Sequence, residues 1–269
     1  MEITADGILI GFLLTLLAGL ATVIGSFIAF FTKSSSAKFL AWALGFSAGV
    51  MIFISFAELL AEANATLQQT FGERRGYLYA LAAFFGGILI SLAIDRLIPE
   101  AENPHEVRTV EDMNNALQIP KQRLLRSGFL FALAMGIHNF PEGMATFIAA
   151  LDNPATGISI AVAIAIHNIP EGITVSVPIY HATKSRKKAL LISSLSGLAE
   201  PFGALIAFLF LLPFLSATLL AVLFAGVAGI MVFISFDELL PLAEAYREHH
   251  KTIYGFILGM LVMALTLMW

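Results

Sequence analysis

No cysteine occurs anywhere in the 269 residues. Disulfides, thiolate metal ligands and cysteine nucleophiles are thereby excluded. Charge is scarce too: Asp, Glu, Lys and Arg make up 13 % of the chain, while 58 % is hydrophobic. A soluble domain is about a quarter charged. The deficit suits a chain embedded in a bilayer, and no nucleic-acid partner is expected of it. A basic leader is also lacking. Met1 to Asp6 is acidic where a secretory signal would be basic, so the first apolar run is expected to be a permanent helix.

What is present is a series of long apolar runs. A membrane helix needs roughly 20 mostly apolar residues, and that rule gives eight spans, at about 8–31, 39–61, 77–98, 127–151, 157–180, 189–212, 216–243 and 252–269. The second and seventh exceed one membrane thickness, so tilt is expected. The fold class is therefore all-α integral membrane, with residues 1–269 forming a single transmembrane domain.

Lysine and arginine are distributed unevenly. Lys33, Lys38, Arg96, Arg108, Lys121, Arg123, Arg126, Lys184, Arg186, Lys187, Lys188, Arg247 and Lys251 all follow odd-numbered spans, the end of span 3 included. Only Arg74 and Arg75 lie on the other side. The positive-inside rule places the odd loops in the cytoplasm and both termini on the outer face of the cell (inner) membrane. The longest loop, about 99–126, mixes charge signs and is expected to be a flexible cytoplasmic segment.

Two internal repeats stand out. Residues 49–60, GVMIFISFAELL, match residues 229–240, GIMVFISFDELL. They fall in spans 2 and 7, which run in opposite directions. The expectation is an inverted repeat of spans 1–3 and 6–8 around central spans 4 and 5, a symmetry that many transporters use for alternating access. The second repeat is HNFPEG at 138–143 in span 4 and HNIPEG at 167–172 in span 5.

The spans also carry ionisable side chains, which are costly in a membrane and mark function. They are Glu58, His138, Glu142, His167, Glu171, Glu200, Asp237 and Glu238. No lysine or arginine lies near the middle of a span, so these carboxylates are either protonated or neutralised by a bound cation. The histidines favour the cation. In each motif His and Glu are four apart and Asn and Glu three apart, which puts all three on one helical face. Imidazole with carboxylate suits Zn²⁺ and neighbouring first-row metals, and a bridging Glu142 or Glu171 could hold two metals. Pro141 and Pro170 withhold N–H groups from the carbonyls of Ile137 and Ile166. Such backbone is tolerated in a bilayer where it lines a cavity. Glu200-Pro201 repeats the idea in span 6. A lone histidine in a span is more often a helix–helix hydrogen bonder, but two identical units argue against that here. Met51, Ser55 and Glu58 form one stripe, mirrored by Met231, Ser235 and Glu238. Methionine in an apolar helix is usually packing, so Met51 rests on less. Asp95 beside Arg96 could be a plain interfacial ion pair, and His249 and His250 are expected in a solvated loop. Gly45/Gly49 and Gly255/Gly259 weakly match a helix-packing pattern.

HNFPEG, HNIPEG, the span-6 GLAEP and the span-7 SFDELLP together resemble the ZIP (Zrt/Irt-like) metal transporters, and more closely their bacterial ZupT-type branch. The resemblance covers all eight spans. It implies uptake of divalent metal into the cytoplasm, zinc first, with iron, manganese and cobalt as further substrates, through a two-metal site at mid-membrane. It implies His138, Glu142, His167 and Glu171 around one metal, and Asn139, Glu142, Asn168, Glu171 and Glu200 around the other. Met51 would guard the outer side, Glu58 would be a pathway residue, and Asp95, Glu100, Asp237 and Glu238 would lie along the inner exit. Zn²⁺ or Fe²⁺ is then cargo and no cofactor is implied. The partners are divalent ions and lipid, with a homodimer left open. Many family members carry a histidine-rich loop between spans 3 and 4, whereas this loop holds only His105.

Two other readings compete. A membrane metalloenzyme would use the same residue types, but His-Glu-x-x-His is absent, and where di-iron helical bundles use Glu-x-x-His pairs the order in the two motifs here is His-x-x-x-Glu. A proton-coupled carrier of another substrate would use the carboxylates as a relay.

Overall fold

The computed structural model describes residues 4–31, 37–97, 121–214 and 216–266. Among them no strand occurs. The helices are α1 (Ala5–Phe31), α2 (Ala37–Phe71), α3 (Glu73–Leu97), α4 (Lys121–Asp152), α5 (Pro154–Thr183), α6 (Arg186–Phe214), α7 (Ala217–Ala245) and α8 (His249–Thr266). Among the described residues six helical segments are long and apolar enough to cross a membrane: Ala5–Ile28, Ala37–Phe71, Glu73–Arg96, Pro154–Ile173, Arg186–Phe214 and Ala217–Ala245. The fourth and eighth expected spans fall in α4 and α8, which are outside those six. Their sequences explain why: α4 opens on Lys121, Arg123 and Arg126 and carries the polar motif, and α8 opens on His249-His250-Lys251. Both histidines belong to the first turn of α8 rather than to a loop.

Short, chemically explicit junctions separate the helices. Between α2 and α3 the chain turns on Gly72 at φ +82°, a conformation that suits glycine. Asn153 caps α5 by accepting from the Ala155 N–H at 2.9 Å, with Pro154 in the first helical position. Ser185 and Ser216 cap α6 and α7 through their hydroxyls.

Two helices widen at matching places. Ser55–Leu59 in α2 and Ser235–Leu239 in α7 are both π-turns, closed by Leu60 N–H to the Ser55 carbonyl and Leu240 N–H to the Ser235 carbonyl. Ser55 Oγ donates to the Met51 carbonyl at 2.7 Å, and Ser235 Oγ to the Met231 carbonyl at 2.8 Å. The repeated sequence thus makes the same local structure twice. π-turns of this kind are frequent at functional sites.

Packing sorts the helices into two groups. α1, α4, α5 and α6 pack on one another, as do α2 with α8 and α3 with α7. Backbones touch at glycines within each group. A Cβ on Gly143 would meet the Glu200 carbonyl oxygen at 2.0 Å (α4–α6), and one on Gly172 the Thr22 oxygen at 1.9 Å (α5–α1). A Cβ on Gly45 or Gly49 would meet α8 carbonyl oxygens at 2.2 and 2.1 Å, which makes that pair a genuine α2–α8 crossing. A Cβ on Gly229 would meet the Phe84 carbonyl oxygen at 2.0 Å (α7–α3). Between the groups, α2 lies on α5 and α7 on α4. Large apolar side chains such as Leu9, Leu17, Phe85, Leu89, Leu191 and Leu261 point outward, a surface suited to lipid rather than water.

Candidate metal centre

Three helices of the first group bring the polar side chains together. Asn139 and Glu142 come from α4, His167, Asn168 and Glu171 from α5, and Glu200 from α6, and each is at most 1 % exposed. Among the described residues no lysine or arginine is buried with them. Both motif helices run through their prolines without a break. The following glycines let α6 and α1 approach: Gly143 admits the Glu200 backbone and Gly172 that of Thr22. In α6 the helix is interrupted at Leu198, so Glu200 sits in the first turn of a new segment, Ala199–Ile206.

Hydrogen bonds orient these groups. His167 Nε2 lies 3.3 Å from Glu142 Oε2, linking the two motifs across α4 and α5. Asn168 Nδ2 donates to the Ala18 carbonyl at 2.9 Å and, through a short bond, to Glu200 Oε1. Asn139 Nδ2 donates to the Ser196 carbonyl at 3.3 Å. With their NH₂ groups committed to carbonyls and a carboxylate, both amides are held with one orientation of their oxygens. Asn139 Oδ1, Asn168 Oδ1 and Glu200 Oε2 are buried and accept no hydrogen bond among the described residues. Buried acceptors normally find a donor, so three that do not, beside an imidazole and further carboxylates, form a surface suited to a cation.

The expected residues divide cleanly. Asn139, Glu142, His167, Asn168, Glu171 and Glu200 are buried on three adjoining helices. His138 is in α4, but its side chain lies outside the described residues, as does the whole of Glu100. Met51 is fully buried one turn beyond Ser47, whose hydroxyl reaches the His167 carbonyl at 3.5 Å. Glu58 and Asp237 are half-buried in the two π-turns, Glu238 is buried there, and Asp95 is half-buried at the end of α3. Among the described residues no three His, Asp or Glu side chains already stand as a ready-made metal ligand set, so the amide oxygens matter to any reading of the site. Ala18, Ser196 and Ser47 are the participants that the motifs did not indicate. The first two act through backbone carbonyls, which leave no trace in residue identity.

Known proteins are similar to this chain in sequence. The family model described as ZIP zinc transporter matches residues 95–267. The zinc transporter ZupT of Akkermansia muciniphila is 60 % identical over 269 residues, covering 99 % of this chain and 100 % of that protein. ZupT of Lysinibacillus sphaericus is 56 % identical over 264 residues, 97 % of this chain and 98 % of the relative. ZupT of Chlorobaculum parvum is 54 % identical over 264 residues, 98 % of each. The chain belongs to the ZIP family of zinc transporters.

Proposed function

We propose that this protein takes up zinc across the cell (inner) membrane into the cytoplasm through a site formed by Asn139, Glu142, His167, Asn168, Glu171 and Glu200, joined by His138. As a ZIP-family member it is a transporter and not an enzyme, which sets the metalloenzyme reading aside. The observation that carries the site is the set of buried oxygens on Asn139, Asn168 and Glu200 that accept no hydrogen bond among the described residues, packed among His167, Glu142 and Glu171.

Seven donors are more than one tetrahedral zinc uses, which supports two metals sharing the site. Imidazole and carboxylate without thiolate also suit Fe²⁺, so iron is a second substrate. The eight-helix reading and its inverted repeat draw support from the pairing pattern. Exchanging α1 with α6, α2 with α7, α3 with α8 and α4 with α5 turns the α1–α5 contact into α6–α4 and the α2–α8 contact into α7–α3. Both members of each pair are close glycine crossings. Alternating access then follows from motion between the two helix groups. The lysine and arginine bias puts the termini outside.

The direct test is Glu142→Ala and Glu171→Ala. Each is expected to abolish uptake of radioactive zinc at equal membrane expression. Near-normal uptake in either variant would sink the proposal.

A further inference from the structure

α1 has no ionisable residue after Asp6, yet it touches both sides of the candidate site. The Ala18 carbonyl holds the Asn168 amide at 2.9 Å. One turn on, the Thr22 carbonyl occupies the space that a Gly172 side chain would fill. A further turn on is Ser26, fully buried, with Oγ 3.1 Å from the Gly172 carbonyl and 2.6 Å from Ser193 Oγ. Ser193 is also fully buried. It lies on α6 ahead of the interruption at Leu198, after which Glu200 follows in the next segment, and Gly172 directly follows Glu171. Three helices thus meet at two hydroxyls, one bonded to the residue next to one carboxylate and the other on the segment that leads into a second.

The hydrogen-bond inventory limits what this cluster can be. Each serine has one proton to donate. Thr22 O (3.3 Å), Gly172 O and Ser193 Oγ all surround Ser26 Oγ. Both protons are used across helices only when Ser193 donates to Ser26 and Ser26 donates to the Gly172 carbonyl. Two serines pointing at each other between apolar helices are of the kind that fixes helix–helix register in a membrane. The register set here is that of α5 against α6, and with it the placement of Glu171 relative to Glu200.

We propose that Ser26 and Ser193 are positioning residues for metal binding: their shared hydroxyl chain to the Gly172 carbonyl sets the spacing between Glu171 on α5 and Glu200 on α6. This rests on the zinc-site reading above. Neither serine touches the metal, so each acts through the carboxylates it places.

The experiment uses the full chain, with zinc affinity measured in detergent and zinc uptake measured in proteoliposomes. Ser26→Ala and Ser193→Ala are each expected to weaken zinc affinity and raise KM for uptake about three- to tenfold, the worth of one buried hydrogen bond. Vmax per folded protein should change less. The double variant should be no worse than Ser26→Ala, which already removes both bonds of the chain, whereas Ser193→Ala leaves the Ser26–Gly172 bond in place and should cost less. Ser26→Cys, which keeps a weak donor, should fall between wild type and Ser26→Ala and guards against a folding defect. Variants that bind zinc like wild type, or additive losses confined to thermal stability, overturn the positioning role. Wild-type protein with no zinc affinity would instead overturn the site itself.

Discussion

Gly143 gives the sharpest structural perturbation. It follows Glu142 in the motif and faces the backbone of Glu200, so one added methyl strikes two site residues at once. A Cβ there would sit 2.0 Å from the Glu200 carbonyl oxygen and 2.5 Å from its Cα, where real Cβ contacts are essentially never under 3.0 Å. The atom met is backbone, which cannot swing away, so α4 and α6 must part locally by about 1 Å at an overpacking cost of about 1–3 kcal/mol. A displacement of about 1 Å in a pre-set polar constellation can cost about 100-fold in turnover. Gly143→Ala should therefore lower zinc uptake at equal expression by about ten- to 100-fold. Gly136→Ala is the matched control on the same helix: among the described residues its Cβ would meet nothing nearer than 4.0 Å. Gly86→Ala, with nothing within 4 Å among the described residues, is the control in the other helix group. Both should stay within about twofold of wild type, as substitutions without a clash do. Uptake by Gly143→Ala equal to that of Gly136→Ala would refute the claim that the α4–α6 approach sets the site.

Three further outcomes are expected. Asn168→Asp replaces an NH₂ that donates to Ala18 and Glu200 with a second carboxylate. At about 3 Å and an effective dielectric of about 20 the repulsion is about 5 kcal/mol, so metal-free protein should melt lower, zinc should stabilise it more than wild type, and the zinc-to-iron uptake ratio should shift; three unchanged values would remove Asn168 from the site. Lys187→Cys should resist a membrane-impermeant thiol reagent in intact cells while Arg75→Cys is labelled, against no background because the chain has no native cysteine; the reverse pattern would invert the topology. Gly72→Ala forces a side chain to φ +82° and should lower stability by about 1–2 kcal/mol, read as a thermal shift with little effect on KM.

Much of this was legible in the chain because a bilayer makes polar residues conspicuous. Asn139, Glu142, His167, Asn168, Glu171 and Glu200 stand out as polar groups in apolar runs, and all six are buried together. The repeat at 49–60 and 229–240 was visible as letters, but not as a pair of π-turns, because helix register depends on which backbone N–H groups find partners and not on residue type alone. Gly45 and Gly49 gave only a weak signal, since small residues are common in membrane helices; that an added Cβ at either would fall about 2 Å from an α8 carbonyl oxygen emerges only when α8 is in place. α1 reads as a bare apolar span, and its part in holding Asn168 is carried by the Ala18 carbonyl, an atom every residue has. The polar and basic residues of α4 and α8 explain why those two helices fall outside the six described segments that are long and apolar enough to cross a membrane.

The account depends on zinc crossing a membrane through these buried oxygens and His167. The measurement that meets this most directly is zinc uptake into liposomes holding only the purified protein, with wild type beside Glu142→Ala and a free-zinc gradient as the driving force. The account predicts saturable uptake for wild type and none above protein-free liposomes for the variant, with both proteins equally folded. Equal uptake by the two, or none by the wild type, would contradict it.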